Sequence, residues 1–112
     1  MSIPQVHTIG SIAQIPAGEG RTFDLDGRKI AVFHTRSGQV YAVDAVCPHR
    51  GGPLADGLVG GETVICPLHG WKFDLRTGET ANGSCAVRAF SVSLAADGEI
   101  SILIDESAEV GV

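Results

Sequence analysis

With 112 residues, of which 44% are hydrophobic, the chain can form one small domain but not two. Its net charge of −5, with no basic patch, argues against nucleic acid or an anionic membrane surface as a partner. Three cysteines, an odd number, favour metal ligation over a disulfide scaffold. We find no signal-peptide pattern and no apolar run near the roughly 20 residues that cross a bilayer, so we expect a cytoplasmic protein without membrane contact.

The first half of the chain predicts a β-meander. Residues 22–25, 29–33 and 39–43 are short runs rich in β-branched, aromatic and other apolar side chains. Asp26-Gly27 separates the first two runs, and Ser37-Gly38 precedes the third. Asp-Gly supplies the positive φ angles that a tight hairpin turn needs.

The last third of the chain predicts a further hairpin. Residues 90–94 and 99–104 flank Asp97-Gly98, another tight-turn signal. Apolar residues alternate with mostly polar ones, which is the period of a strand that buries one face. The alternating set is Val92, Leu94, Ile100, Ile102 and Ile104. Together with the meander, this pattern predicts an all-β domain.

The middle of the chain, about residues 44–85, has a different character. It contains clustered Cys, His and Gly residues, and only residues 64–65 and 71–75 look like short strands. We therefore predict a base formed by about residues 1–43 and 86–106, with a cluster-binding insertion at about 44–85. Residues 107–112 are predicted to be a tail.

Two matched motifs in this insertion carry the chemistry. Cys47-Pro-His49 and Cys66-Pro-Leu-His69 each offer one thiolate and one imidazole, and sixteen residues lie between His49 and Cys66. Non-functional residues would explain any single Cys or His, but not two matched pairs in turn-like contexts. A structural zinc site usually takes both Cys from one arm and both His from the other. An iron–sulfur cluster with two Cys on one iron and two His on the other suits arms that each mix the two ligand types.

The wider sequence resembles the Rieske family. The matching strings are CPHRGGPLADG from Cys47, CPLHGWKFD from Cys66, and then Thr77-Gly78. They are most similar to the small subunit of assimilatory NAD(P)H nitrite reductase, followed by the ferredoxin components of aromatic-ring dioxygenases. The resemblance covers about residues 5–104.

This resemblance implies a β-sandwich or incomplete barrel with a small cluster-binding subdomain. It also implies a [2Fe–2S] cluster ligated by Cys47, His49, Cys66 and His69, with the histidine Nδ1 atoms on iron and Nε2 at the surface. Four protein ligands saturate both irons and leave no open position for a substrate. We therefore expect a one-electron carrier that is not catalytic on its own.

Three functional hypotheses follow. The first is the small subunit of a nitrite-reductase-like NAD(P)H oxidoreductase, and the second is a free ferredoxin of a ring-hydroxylating dioxygenase system. The third, from another class, is a zinc-stabilised interaction module with no redox role. For the first two, the expected partner is a flavin-containing reductase, a terminal oxidoreductase or both.

The resemblance further implies a low reduction potential. High-potential members carry a disulfide between the two loops, and the matching positions here are Gly52 and Leu68. They also place Ser and Tyr hydroxyls near the cluster, where this chain has Trp71 and Phe73. With fewer hydrogen bonds to stabilise the added electron, we expect a potential of about −150 to −50 mV, near the low end of the class.

Other candidate residues receive simpler interpretations. We interpret Cys85 as a small buried residue rather than a ligand or a redox-sensitive thiol. Trp71 is interpreted either as a lid over the cluster or as an aromatic residue that docks a partner. His7 and His34 lie in strand-like contexts without a nearby Cys, so we treat them as ordinary residues.

Overall fold

Antiparallel β-strands make up the computed structural model, which describes residues 5–25, 27–45, 54–66, 70–80 and 87–104. Within these ranges there is no α-helix, and two 3₁₀ turns occur at Ile12–Gln14 and Leu54–Asp56. The all-β prediction is confirmed. The strands are β1 (Gln5–Ser11), β2 (Glu19–Leu25), β3 (Arg28–His34), β4 (Val40–Asp44), β5 (Leu58–Gly60), β6 (Thr63–Ile65), β7 (Lys72–Asp74), β8 (Ala89–Leu94) and β9 (Glu99–Ile104).

Six of these strands form one sheet in the order β1-β9-β8-β4-β3-β2. The neighbours β2-β3-β4 form the predicted meander, in which Leu25 pairs with Arg28 across the first turn. The strands β8 and β9 form the predicted hairpin, with Leu94 paired with Ile100. Both parts of the sheet therefore follow from the turn signals and the apolar runs.

The six-stranded sheet is curled. This is shown by its core, to which strands that are not neighbours contribute together. Ile30 on β3 and Ile102 on β9 are separated by β4 and β8, yet both are fully buried in the same apolar cluster. The alternate residues Ala31 and Phe33 on β3 belong instead to a second cluster. A sheet curled around one core is an incomplete barrel, which confirms the predicted architecture.

A separate three-stranded sheet, β5-β6-β7, packs against the second cluster. Val64 on β6 pairs with Phe73 on β7, and both side chains are fully buried. On the other face, Leu58 pairs with Ile65 and is 73% exposed. This sheet lies within the predicted insertion at 44–85. The boundaries predicted for the base, the insertion and the tail remain predictions.

Strand β1 was predicted only as a strand-like context around His7, because its apolar residues do not follow the alternation of a half-buried strand. The register of β1 against β9 shifts between Thr8 and Gly10. Gly10 has a φ of 128°, which strains any residue with a side chain. Val6 faces away from the core and is 66% exposed, whereas Ile9, three residues further on, packs on the core. The bulge adds to this irregularity, because Ile9 has no paired residue on β9.

Leu94 departs from the prediction that its set of alternating residues is buried. It is 45% exposed, whereas its partner Ile100 is buried. The reason lies in the neighbouring strand: β4 pairs with β8 only at Ala42–Phe90 and Val43–Ala89. Leu94 lies four residues beyond Phe90, so it has no paired residue on β4.

Candidate metal centre

The first Cys/His loop leaves and rejoins the described structure at one point. Strand β4 ends at Asp44, and the next residue, Ala45, is buried. The Leu54 N–H donates to the Ala45 carbonyl oxygen at 2.9 Å. Leu54 is fully buried and begins the 3₁₀ turn Leu54–Asp56. The residues between Ala45 and Leu54, which include Cys47 and His49, therefore begin and end at a fixed backbone neck.

The second loop has a similar neck, formed by Cys66. The Cys66 N–H donates to the Trp71 carbonyl oxygen at 2.7 Å, and the Gly70 N–H donates to the Cys66 carbonyl oxygen at 3.0 Å. Gly70 has a φ of 73°, a left-handed conformation that strains residues with a side chain. These two bonds fix the ends of the segment that contains His69.

The two necks belong to one buried cluster. Ala45 and Leu54 from the first neck share it with Cys66 from the second, and Trp71 packs against it. Cys66 is only 2% exposed. A thiolate is a soft ligand suited to iron–sulfur clusters, and a neck shielded from water at the foot of each loop suits a group held between the loops. The described residues therefore fit such a group.

The structure describes one of the four predicted ligands, Cys66, and places it at the neck of its loop. The other three, Cys47, His49 and His69, lie outside the described residues, as do Cys85, Gly52 and Leu68. Among the residues that are described, no group of three or more His, Cys, Asp or Glu side chains gathers to form a metal site. The complete ligand set therefore stays a prediction.

The aromatic residues singled out from the sequence lie beside this neck. Trp71 is half-buried and packs against the cluster that contains Cys66. Phe73 is fully buried in that cluster and carries no hydroxyl. Neither histidine treated as ordinary lies at the necks. His7 is on β1, and Nδ1 of His34, at the end of β3, hydrogen bonds with the Ile15 carbonyl oxygen at 2.7 Å.

A polar network lies at the end of the three-stranded sheet opposite Cys66. The Tyr41 hydroxyl on β4 donates to Glu62 in the turn between β5 and β6, and so ties the two sheets together. This hydrogen bond, assisted by burial, raises the pKa of Tyr41. Arg76 Nη2 lies 3.0 Å from Asp74 Oδ2 and holds the pKa of that carboxyl below its usual value. Arg76 Nη1 is also 3.8 Å from Glu62.

Sequence reasoning missed this network. Tyr41 and Glu62 are 21 residues apart on different elements, and no local motif marks them as partners. Asp74 and Arg76, by contrast, are only two residues apart.

The family is shown by comparison with known proteins. The sequence-family model for the Rieske [2Fe–2S] domain matches residues 5–95 of this chain, which therefore belongs to the Rieske family. Its cofactor is therefore a [2Fe–2S] cluster, and its general role is that of an electron carrier. This decides between the two metal interpretations in favour of iron and sulfur over zinc.

Two solved structures of similar size resemble this chain. A Mycobacterium tuberculosis protein assigned as an NADH-dependent nitrite reductase small subunit is 25% identical, with a TM-score of 0.85 over 91% of this chain and 96% of that one. The ferredoxin of carbazole 1,9a-dioxygenase from Nocardioides aromaticivorans is 29% identical, with a TM-score of 0.78 over 88% and 96%. Both support the fold and the family.

Curated relatives are much longer. The chain is 47% identical over 60 residues to cholesterol 7-desaturase of Xenopus laevis, a match of 53% of this chain and 13% of that protein. It is 34% identical over 67 residues to the oxygenase component of 3-ketosteroid-9-alpha-monooxygenase of Mycolicibacterium smegmatis, covering 60% and 18%. The chain thus spans less than a fifth of these relatives. Within its described ranges, no helix is long and apolar enough to cross a membrane.

Proposed function

We propose that Cys47, His49, Cys66 and His69 hold the [2Fe–2S] cluster, with one Cys and one His from each loop. The observation that carries this proposal is the meeting of both loop necks in one buried cluster. Cys47 is two residues beyond the first neck at Ala45, and Cys66 forms the second neck itself. In Rieske centres the two thiolates bind one iron and the two imidazoles bind the other.

When bound, this cluster supplies reversible one-electron transfer. The protein's part is to supply four ligands, which leave no iron position open for a substrate, and to exclude water from the foot of the site. Cys66, which is 2% exposed, and Phe73, which is fully buried, belong to this water-excluding region. A saturated, shielded centre suits a carrier that accepts an electron from one protein and passes it to another.

We further propose that the partner is a nitrite-reductase-like NAD(P)H oxidoreductase, in which this chain acts as the small subunit. Its support is the TM-score of 0.85 to the Mycobacterium tuberculosis protein, over nearly the whole of both chains. A ferredoxin of a ring-hydroxylating oxygenase is the second candidate. It is favoured by the higher identity, 29%, to the carbazole dioxygenase ferredoxin, and a related ferredoxin has been captured in complex with its oxygenase.

Electron paramagnetic resonance of dithionite-reduced protein tests the ligand set. The wild type should give the g-values of a mixed Cys/His cluster, which differ from those of an all-Cys cluster. Cys66→Ser and His69→Cys should each abolish or change the signal, whereas Cys85→Ser and His7→Asn should leave it unchanged. Loss of the cluster in Cys85→Ser, or an unchanged spectrum in His69→Cys, would contradict the assignment.

A separate experiment distinguishes the two partners. Stable co-purification with a large sirohaem-containing subunit would support the nitrite-reductase role. Stimulation of a ring-hydroxylating oxygenase by the added protein, without a stable complex, would support the ferredoxin role. In either case we propose a potential of about −150 to −50 mV, and a redox titration with a midpoint well above zero would refute it.

A further inference from the structure

Gly57 lies where the segment leaving the first loop packs against the strand entering the second. It follows the 3₁₀ turn Leu54–Asp56, and its N–H donates to the Leu54 carbonyl oxygen at 2.9 Å. A Cβ atom at Gly57 would overlap the Ile65 carbonyl oxygen. It would also lie 2.9 Å from a Val64 γ-methyl group and 3.0 Å from the Leu54 carbonyl oxygen.

Glycine is required here by space rather than by backbone angle. Gly57 is not among the described glycines with positive φ, so another residue could adopt its conformation. Two of the three atoms that a side chain would meet are backbone oxygens. Unlike the end of a flexible side chain, they cannot rotate away. Relief of the overlap therefore requires one backbone segment to move away from the other.

Those two backbone segments are the arms that carry the two loops. Leu54 closes the first neck through its bond with Ala45. Ile65 is the last residue of β6, and its carbonyl belongs to the peptide bond that leads into Cys66. At Gly57 the backbones of the two arms therefore meet with no side chain between them.

We propose that Gly57 is a positioning residue for the cluster, and that its missing side chain sets the spacing of the two ligand loops. This inference rests on the ligand set proposed above. A methyl group at position 57 would push the necks apart. Each iron would then receive its ligands from loops in an altered relative position, while the six-stranded sheet would be left as it is.

Gly57→Ala tests the inference, with Gly60→Ala as its matched control. Gly60 lies on β5, three residues further along, without positive φ and with nothing within 4 Å of an added Cβ. Both variants restrict the unfolded chain in the same way. The holoprotein is measured by the g-values of its reduced form and by the rate at which a strong iron chelator bleaches its visible absorption.

The expected results separate the two variants. Gly57→Ala should have shifted g-values and should lose its cluster about tenfold faster than the wild type. The reason is that an added methyl group in a closely packed site is destabilising. Gly60→Ala should match the wild type within about twofold, because its Cβ meets open space. Wild-type g-values together with a wild-type rate of cluster loss in Gly57→Ala would overturn the proposal.

A second pair of variants separates loop spacing from crowding of the core. In a Val64→Ala background the γ-methyl contact is gone, but the two backbone oxygens remain. Gly57→Ala should therefore shift the g-values in that background as well. Full rescue by Val64→Ala would overturn the proposal, because core crowding would then be the cause. So would loss of the far-UV circular dichroism of the whole sheet, since Gly57 would then support the entire fold.

Failure of the ligand set is distinguishable from failure of this inference. A wild-type protein without a mixed-ligand signal would count against the four ligands. A normal wild-type signal, with g-values and a rate of cluster loss that Gly57→Ala leaves unchanged, would count against loop spacing alone.

Discussion

Replacing Phe73 by tyrosine would add one hydroxyl beside the proposed cluster. Phe73 is fully buried, shares an apolar cluster with Cys66 and pairs with Val64, two residues before that cysteine. If the low potential expected for this chain arises partly from the missing hydroxyl, the substitution should raise it. A hydrogen bond to a sulfur grows stronger as the cluster gains negative charge, and so favours the reduced state.

The size of the shift follows from the strength of such a bond. Hydrogen bonds to charged groups contribute about 1.5–3 kcal/mol, and only the part gained on reduction counts. Taking that part as about 1–1.5 kcal/mol, and about 59 mV for each tenfold change of a one-electron couple, the potential should rise by about 40–65 mV. A hydroxyl that missed the sulfur would be buried without a partner and would instead cost about 1–3 kcal/mol of stability.

The assay is a redox titration followed by visible circular dichroism, with thermal denaturation of the same samples. Phe23→Tyr is the control, because Phe23 is partly buried on β2 and packs against the other apolar cluster. It should leave the potential unchanged. A Phe73→Tyr protein with full stability and cluster content, but with an unchanged or lower potential, would refute the reasoning.

Three further predictions concern stability. Tyr41→Phe removes the hydrogen bond to partly exposed Glu62 and should cost about 1 kcal/mol, lowering the Tm by about 4 °C at neutral pH; an unchanged Tm would contradict this. Arg76 lowers the pKa of Asp74, so the stability from this pair is present above the usual carboxyl pKa and is lost as the pH falls through the lowered value. The free energy of unfolding of Asp74→Asn, measured over the same pH range, should not show that loss. Leu54→Ala should cost about 2–5 kcal/mol in urea denaturation, because Leu54 is fully buried at the first neck; a cost below about 1 kcal/mol would show that the neck repacks.

Local signals made much of the sheet predictable. Turn dipeptides and regular alternation marked the meander and the hairpin, because pairing between consecutive strands is decided by residues close in sequence. Strand β1 was not recognised because its two apolar residues, Val6 and Ile9, are three residues apart and do not share a face of the sheet. Strand β5 escaped because it has only three residues, one of them a glycine. Its partner β6 supplies the reason that it is a strand, and that pairing is not visible in its own sequence.

For the candidate site, the sequence predicts candidate ligands but not their surroundings. Matched spacing and soft ligand chemistry pointed to Cys66, which the structure places at a loop neck. Gly57 was present in the matching string, but its contact with Ile65 depends on how two distant segments pack. The link between Tyr41 and Glu62 depends on packing in the same way. Such contacts arise only once the three-stranded sheet lies on the six-stranded one.

Strand β3 has buried residues on both faces, and this has a consequence for unfolding. Ile30 and Val32 belong to one apolar cluster, while Ala31 and Phe33 belong to the cluster that holds the loop necks. Neither cluster can open fully without exposing this strand, so its backbone amides should exchange with deuterium only through global opening. The apolar cluster beneath the proposed metal centre therefore shares strand β3 with the other core. If the [2Fe–2S] cluster is released only when these residues open, its release should require a free energy close to that of global unfolding.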